Sequence, residues 1–269
     1  MKTIVMATQK GGVGKTTSTL ELATIFSKDN KVLMIDLDPQ RNLSKYSGAN
    51  IAESAYTILD ILDPNEENPI RINSIIQNIN RTDEGRLDII ISSKKLIDAT
   101  KLFPDIDDIF LLKDFINVLD EKSDYDYVFI DNGPNRSIIL YMSYIAADYV
   151  ISPAGPCEGS IDGILEVAAD LNAYRKRNFT NAKLLGYFMY CYEKTTAHAV
   201  ALDTFSDMAF AVGCDPFKTI IPKSVAATEC KSARCSVNEY DKKNKVSEAY
   251  RKLSIELKER IENDEQQKR

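Results

Sequence analysis

Short apolar runs alternate with amphipathic stretches along the whole chain. The runs "TIVMAT" (3–8), "KVLMID" (31–36), "LDIIIS" (87–92), "YDYVFID" (125–131), "DYVISP" (148–153), "KLLGYFMYCY" (183–192) and "FKTIIP" (217–222) are rich in β-branched and aromatic residues and predict strands. Between them, "KTTSTLELATIFSK" (15–28), "LLKDFINVLDE" (111–121), "SIDGILEVAADLNAYRKR" (160–177), "AVALDTFSDMAFAV" (199–212) and "SEAYRKLSIELKERIEN" (247–263) have helical spacing. Continuously apolar strands separated by helices imply a mostly parallel sheet covered on both faces. The expectation is a single α/β domain over residues 1–262. The stretch "DPNEENP" (63–69) reads as a polar surface loop, and "NDEQQKR" (263–269) as a frayed, disordered tail.

Composition narrows the class without naming a function. The 269 residues suffice for one large core, and 44% hydrophobic with 28% charged content is ordinary for a globular protein. The net charge of -6 means that any nucleic-acid binding must come from a local patch. Five cysteines, none in a C-x-x-C pair, argue against a disulfide framework or a structural zinc site. The single histidine, His198, excludes His-based metal clusters. The chain enters its first strand without a signal peptide, and no apolar run approaches the ~18 residues of a membrane span. A cytoplasmic protein is expected.

The chemistry gathers where strands end. Between the first strand and the first helix lies "TQKGGVGKTT" (8–17). A phosphate-binding loop normally reads Gly, four residues, Gly-Lys-Ser/Thr. Gly14, Lys15 and Thr16 supply the second half, but Gln9 stands where the first glycine belongs, and Lys10 precedes Gly11 and Gly12. The strand–loop–helix setting is still the one the motif needs. Glycines let backbone N–H groups turn toward phosphate oxygens, and the helix N-terminus favours the anion. Lys15 is placed to reach the terminal phosphates and the Thr16 hydroxyl to hold magnesium. At the next strand's carboxyl end Asp36 and Asp38 lie two apart, on the same side of an extended chain. A third strand, "YVFID", ends in Asp131, which can hold magnesium through a bound water. Ligands bind off the carboxyl ends of parallel strands, so these aspartates belong with the loop.

"KGGVGKT" resembles the deviant Walker A signature K-G-G-x-x-K-[ST] at every position. "DPQ" with Asn42 and Ser44, "AADYVISPAGPCEGSIDGILEV" (146–167) and "TIIPKSVAATECKSARCSVNEYDKKNKVSEAYRKLSIEL" (219–257) are similar to the matching segments of ParA/Soj-type partition ATPases, so the resemblance covers most of the chain. It implies a P-loop NTPase fold and a slow Mg2+-dependent ATPase. Its cofactors would be ATP and Mg2+, bound by Lys10, Gly11, Gly12, Val13, Gly14, Lys15, Thr16, Thr17 and Asp131, with Tyr190 and Pro222 near the adenine. Lys10, Lys15 and Asp38 would be catalytic: Lys10 acts across an ATP-dependent homodimer and Asp38 orients the attacking water. Thr16, Asp38 and Asp131 would surround the metal. The chain departs from the family pattern at Arg41 and Arg234, where the pattern has glycine, at Ser236, where it has proline, and at Asn132–Gly133, where relatives usually read "TP".

The resemblance also implies nonspecific DNA binding by the dimer, a ParB-like partner that stimulates hydrolysis, and location on the nucleoid. Between Lys218 and Lys252 there are nine basic residues against four acidic ones, a local charge of +5. Lys218, Lys223, Lys231, Arg234, Lys242, Lys243, Lys245 and Arg251 are the candidate phosphate contacts. The alternative is a MinD-like positioning ATPase acting on a membrane surface or a protein partner. The last helix places Tyr250, Leu253, Leu257 and Ile261 at core-packing spacing, which argues against the membrane.

Overall fold

The computed structural model describes residues 1–53, 55–63, 72–82 and 84–268. Seven strands form one sheet: β1 (Lys2–Met6), β2 (Lys31–Asp36), β3 (Ile76–Arg81), β4 (Arg86–Ile90), β5 (Tyr127–Asp131), β6 (Tyr149–Ala154) and β7 (Lys183–Met189), in the order β3-β4-β2-β5-β1-β6-β7. Every pairing is parallel except β3 with β4. The central strands are buried on both faces. One face packs Ile4, Met34 and Phe129 against the helices Lys15–Phe26 and Lys245–Gln267. The other packs Val5, Leu33, Val128 and Ile130 against Leu111–Lys122 and Ile138–Ala146.

The β1–β5–β2 register positions the site. Met6 lies opposite Asp131 across one ladder, and Asp36 opposite Asp131 across the other. The ends of these three strands therefore bring residues 7–14, 36–38 and 131–134 to one edge of the sheet.

Several expectations need correction. The segment 217–222 is not a continuous strand: the Phe217 and Ile221 N–H groups donate to the Tyr187 and Met189 carbonyls of β7 at 2.8 Å, and the one bridge is Tyr192 to Pro222. Proline has no N–H to give, and the Lys218 N–H donates instead to Glu256 of the last helix at 2.8 Å. β7 stops at Met189 rather than 192, because Cys191 takes a left-handed conformation at φ 61°. The helix expected over 199–212 begins at Thr196, behind the Thr195 cap, and breaks at Met208 into two pieces. The tail is not frayed from residue 263. The last helix runs to Gln267, with Asp264 buried and accepting hydrogen bonds from Tyr149 Oη and Lys183 Nζ. Most of the polar loop expected at 63–69 falls on residues 64–69, outside the described residues.

Several elements were not foreseen, most of them short helices such as Asn42–Tyr46, Ala226–Ala233 and Val237–Tyr240; two others show why pattern missed them. β3 is a polar edge strand with a bulge between Asn78 and Asn80, so it carries no clean alternation. The helix Ile138–Ala146 is apolar on nearly every side and buried, so it shows no helical stripe.

Candidate nucleotide site

The loop after β1 turns at Gly12 (φ 77°) and Gly14 (φ 90°), conformations that side chains resist. Gly14 is also fixed by contact: a Cβ there would lie 2.5 Å from the Tyr190 ring. The helix Lys15–Phe26 follows directly, with Gly14 as its N-cap, so its first N–H groups open into the loop. A cavity of about 290 Å³ lies over this end, lined by Gly11 to Thr17, Asp38, Gln40, Asn42, Tyr46, Asn132, Pro134, Tyr190 and Lys231. A larger cavity, about 1240 Å³, lies under β3 and β4, far from the glycine loop, and gathers no comparable set of phosphate-binding groups.

Lys15 is buried and donates to the carbonyls of Thr8 (3.1 Å) and Lys10 (2.9 Å), so its ammonium is held inside the loop. Burial pulls its pKa down, while Asp131 and Asp38 oppose that. A negative phosphate would relieve the same strain. Thr16 Oγ1 donates to Asp131 Oδ2 at 2.7 Å. Asp131 is fully buried, and its Oδ1 has no hydrogen-bond partner among the described residues. Burial, and next the nearby Asp36, push its carboxyl well above the usual carboxylate range. A hydroxyl and an under-coordinated carboxylate at a phosphate loop suit a hard divalent cation such as Mg2+, which prefers oxygen donors. Thr16 and Asp131 are the residues that would hold it, Asp131 through water.

The two aspartates of β2 separate in role. Asp36 accepts from the Asp38 N–H (3.0 Å), the Ser44 N–H (2.8 Å) and the Ser44 hydroxyl (2.6 Å), so it pins the loop 38–44. Burial raises its pKa to about 6 against those three donors. Asp38 lines the cavity and accepts from the Gln40 N–H at 2.9 Å. The loop it starts passes through Arg41, which sits at φ 59° where glycine would be unstrained.

Of the residues read as nucleotide-binding, those from Gly11 to Thr17, together with Tyr190, converge on this cavity, and Asp131 joins them through Thr16. Lys10 does not line it. Its side chain is exposed, and its ammonium lies beside Gly159, where a Cβ would sit 3.2 Å away. Pro222 does not line it either, but borders a separate groove.

The basic set also divides. Lys231 faces the nucleotide cavity, with its ammonium 5.5 Å from the Tyr46 ring centroid. Arg251 is committed to Asn238 Oδ1 (2.8 Å) and the Lys242 carbonyl (3.0 Å), and Lys223 pairs with Glu193 at 3.1 Å. Arg234 is exposed and ends the helix Ala226–Ala233 at φ 55°. Lys218, Lys242, Lys243 and Lys245 are exposed, and Lys218, Lys245 and Lys252 line the groove of about 410 Å³ beside Pro222.

Gln40, Asn42, Tyr46, Asn132 and Pro134 were not read as site residues, and Lys231 was read only as a DNA contact. Adjacency to Asp131 was the available signal for Asn132; nothing in the sequence marks Tyr46, or places Lys231 at the nucleotide rather than on DNA.

Residues 1–185 match the family model described as "AAA domain". The chromosome-partitioning ATPase Soj of Treponema pallidum is 30% identical over 95% of this chain and 96% of its own length. The sporulation initiation inhibitor Soj of Bacillus subtilis is 27% identical, with 95% and 98% covered. Among solved structures, a putative plasmid partition protein from Borrelia burgdorferi bound to AMPPNP superposes with a TM-score of 0.78 at 27% identity, covering 96% of this chain and 99% of that one.

Proposed function

The chain belongs to the AAA-domain family and within it to the ParA/Soj-type partition ATPases, enzymes that use ATP and Mg2+, and from that premise we propose that it acts as an ATP-dependent dimerising switch on DNA. ATP joins two copies. The dimer binds DNA without sequence preference. Slow hydrolysis, stimulated by a ParB-like partner, releases it, and the cycle partitions a plasmid, chromosome or mobile element. The supporting observation is the division of labour between the two loop lysines. Lys15 is drawn into its own loop, whereas Lys10 is exposed and stays off its own cavity. In this reading Lys10 serves the nucleotide of the partner copy.

Within the cavity, backbone N–H groups of Gly12 to Thr17 and the Lys15 ammonium bind the phosphates. Thr16 and Asp131 hold the metal, whose charge offsets that of the phosphates. Asp38 orients the attacking water. Lys218, Lys242, Lys243 and Lys245 offer exposed ammonium groups to DNA phosphates. Action on a membrane surface is the weaker reading: of the large apolar residues of the last helix, Val246, Tyr250, Leu253, Leu257 and Ile261 are buried and Ile255 is exposed, which leaves no apolar face. No helix among the described residues is long and apolar enough to cross a membrane.

The test is binding to a random-sequence DNA duplex at low and moderate salt, without nucleotide, with ADP and with ATP. Salt-sensitive binding confined to the ATP state is expected. Equal binding in all three states, or none with ATP still hydrolysed, would refute the DNA switch.

A further inference from the structure

Gln9 stands where a phosphate-binding loop usually has its first glycine, and its side chain has a partner far away in sequence. Gln9 Nε2 donates to Asp170 Oδ2 at 2.7 Å. Asp170 lies in the helix Glu158–Lys176 and is 8% exposed. Its other oxygen, Oδ1, accepts from Nη2 of Arg136, an exposed residue beyond the end of β5. The carboxylate is thus paired at both oxygens, once by a neutral amide and once by a guanidinium, which offsets the cost of burying its charge.

The same helix runs against the entrance of the loop. At Gly163 a Cβ would lie 2.9 Å from Thr8 Oγ1, 3.6 Å from the Gln9 backbone N and 3.9 Å from Lys10 Cβ, so glycine permits this close approach. Asp170 follows Gly163 by seven residues, about two turns on and on the same face. Helical side chains lean toward the N-terminus of their helix, which aims the carboxylate back along that face toward Gln9. Thr8 and Lys10, on either side of Gln9, are the residues whose carbonyls hold the Lys15 ammonium, at 3.1 and 2.9 Å. The bond to Asp170 therefore pins the residue between the two carbonyls that place Lys15.

We propose that Asp170 is a positioning residue for nucleotide binding. By holding the Gln9 side chain it fixes the entrance of the phosphate loop, and with it the carbonyl pair that sets where the Lys15 ammonium sits. A loop already held in its binding conformation loses less freedom when a phosphate enters. Asp170 does not line the cavity, so it acts through Gln9 and not on the nucleotide itself. The proposal rests on the glycine loop being the nucleotide site and is independent of DNA binding. ADP binding by wild type tests the site; comparison among variants tests the link.

The experiment measures ADP affinity with Mg2+ by calorimetry for wild type, Gln9→Ala, Asp170→Ala, Asp170→Asn and the double variant Gln9→Ala/Asp170→Ala, each at a temperature where it is folded. Removing either partner alone should weaken ADP binding by roughly 5- to 50-fold. Removing both should weaken it no further than the larger single loss, because the two side chains form one link. Asp170→Asn keeps an acceptor oxygen for the Gln9 amide and should stay within about twofold of wild type. Losses that multiply in the double variant, unchanged affinity in both single variants, or an Asn variant as weak as the Ala variant would each overturn the proposal. So would a lowered melting temperature with the affinity of the folded protein intact, which would give Asp170 a structural role alone. Gln9→Ala, at a half-buried loop position, keeps the link testable if Asp170→Ala does not fold: wild-type affinity in that variant would by itself be decisive against it.

Discussion

Glu21 offers a quantitative test of how the nucleotide loop is tied to the C-terminal segment. It lies in the helix that carries Lys15, Thr16 and Thr17, and it is 1% exposed. Its carboxylate accepts from the backbone N–H groups of Val237 and Asn238, the first turn of the short helix Val237–Tyr240. Burial nevertheless dominates those donors and raises its pKa from 4.5 to about 7, with Glu239 adding to the rise. Each pH unit of displacement corresponds to about 1.4 kcal/mol, so the ionised form costs on the order of 3 kcal/mol in the fold. The sign follows from proton affinity. The folded state holds this proton more tightly than the unfolded chain, so stability is highest below about pH 4.5 and declines as pH rises to about 7. Asp36, raised to about 6, adds a decline of the same sign.

Glu21→Gln isolates the first contribution. Glutamine stays neutral, and Asp36 titrates in both proteins, so it cancels in their difference. Loss of one carboxylate oxygen sets a constant offset and leaves the pH slope untouched. Urea unfolding of wild type and variant at several values between pH 4.5 and pH 8, without nucleotide, provides the comparison. The variant should gain on wild type by about 3 kcal/mol across that range. A difference that stays flat with pH would mean Glu21 titrates as an exposed carboxyl does, and the buried tether would be refuted.

Other perturbations follow from the site. Lys15→Ala should abolish nucleotide binding, because the ammonium closest to the loop is removed; micromolar ATP affinity in the variant, measured by fluorescent-nucleotide titration, would remove Lys15 from the site. Lys231→Met should weaken ADP and ATP binding together, by up to about tenfold at low salt, since its charge faces the cavity beside Tyr46; unchanged affinity would return Lys231 to the surface set. Asp38→Ala should retain ATP binding while single-turnover hydrolysis collapses, and normal hydrolysis would show that another group orients the water. Replacing Lys218, Lys245 and Lys252 together with alanine should reduce the salt dependence of DNA binding by up to about 0.9 for each DNA phosphate no longer neutralised; an unaltered slope would place the DNA surface elsewhere.

Much of this arrangement was legible because the chain's chemistry is local. A phosphate loop needs consecutive residues between a strand and a helix, and "KGGVGKTT" supplies them; Asp36, Asp38 and Asp131 sit at strand ends that apolar runs announce. What escaped depends on distant parts of the chain meeting. Lys231 is one lysine in a basic stretch until the helix Ala226–Ala233 packs beside Asn42–Tyr46 and turns it to the cavity. Tyr190 was foreseen, but its reason, the close approach of its ring to Gly14, is visible only in three dimensions. The strand expected at 217–222 keeps backbone bonds to β7 from Phe217 and Ile221 without forming a continuous ladder, and its contact with Glu256, which accepts from the Lys218 N–H, joins parts of the chain that local pattern does not connect.

The departures at Arg41 and Arg234 are the most informative, because sequence and structure give different halves of the answer. The family pattern has glycine at both positions, and both backbones here remain in the left-handed region, at φ 59° and 55°. The chain has kept the turns and accepted the side-chain strain, on the order of 1 kcal/mol at each. Arg41 recovers part of that through a long hydrogen bond to the Ile51 carbonyl at 3.3 Å, and it is buried. Arg234 is exposed and makes no such bond among the described residues: its Cβ lies 3.9 Å from where a Cβ on Gly48 would be. Arg234→Gly should therefore stabilise the protein by up to about 0.5 kcal/mol in urea unfolding, net of the entropy glycine adds to the unfolded chain. The same variant, assayed on a DNA duplex with ATP, should lose affinity if the arginine is retained for its charge. A destabilised variant would refute the strain argument. A stabilised variant with undiminished DNA binding would uphold the strain and remove Arg234 from the DNA surface.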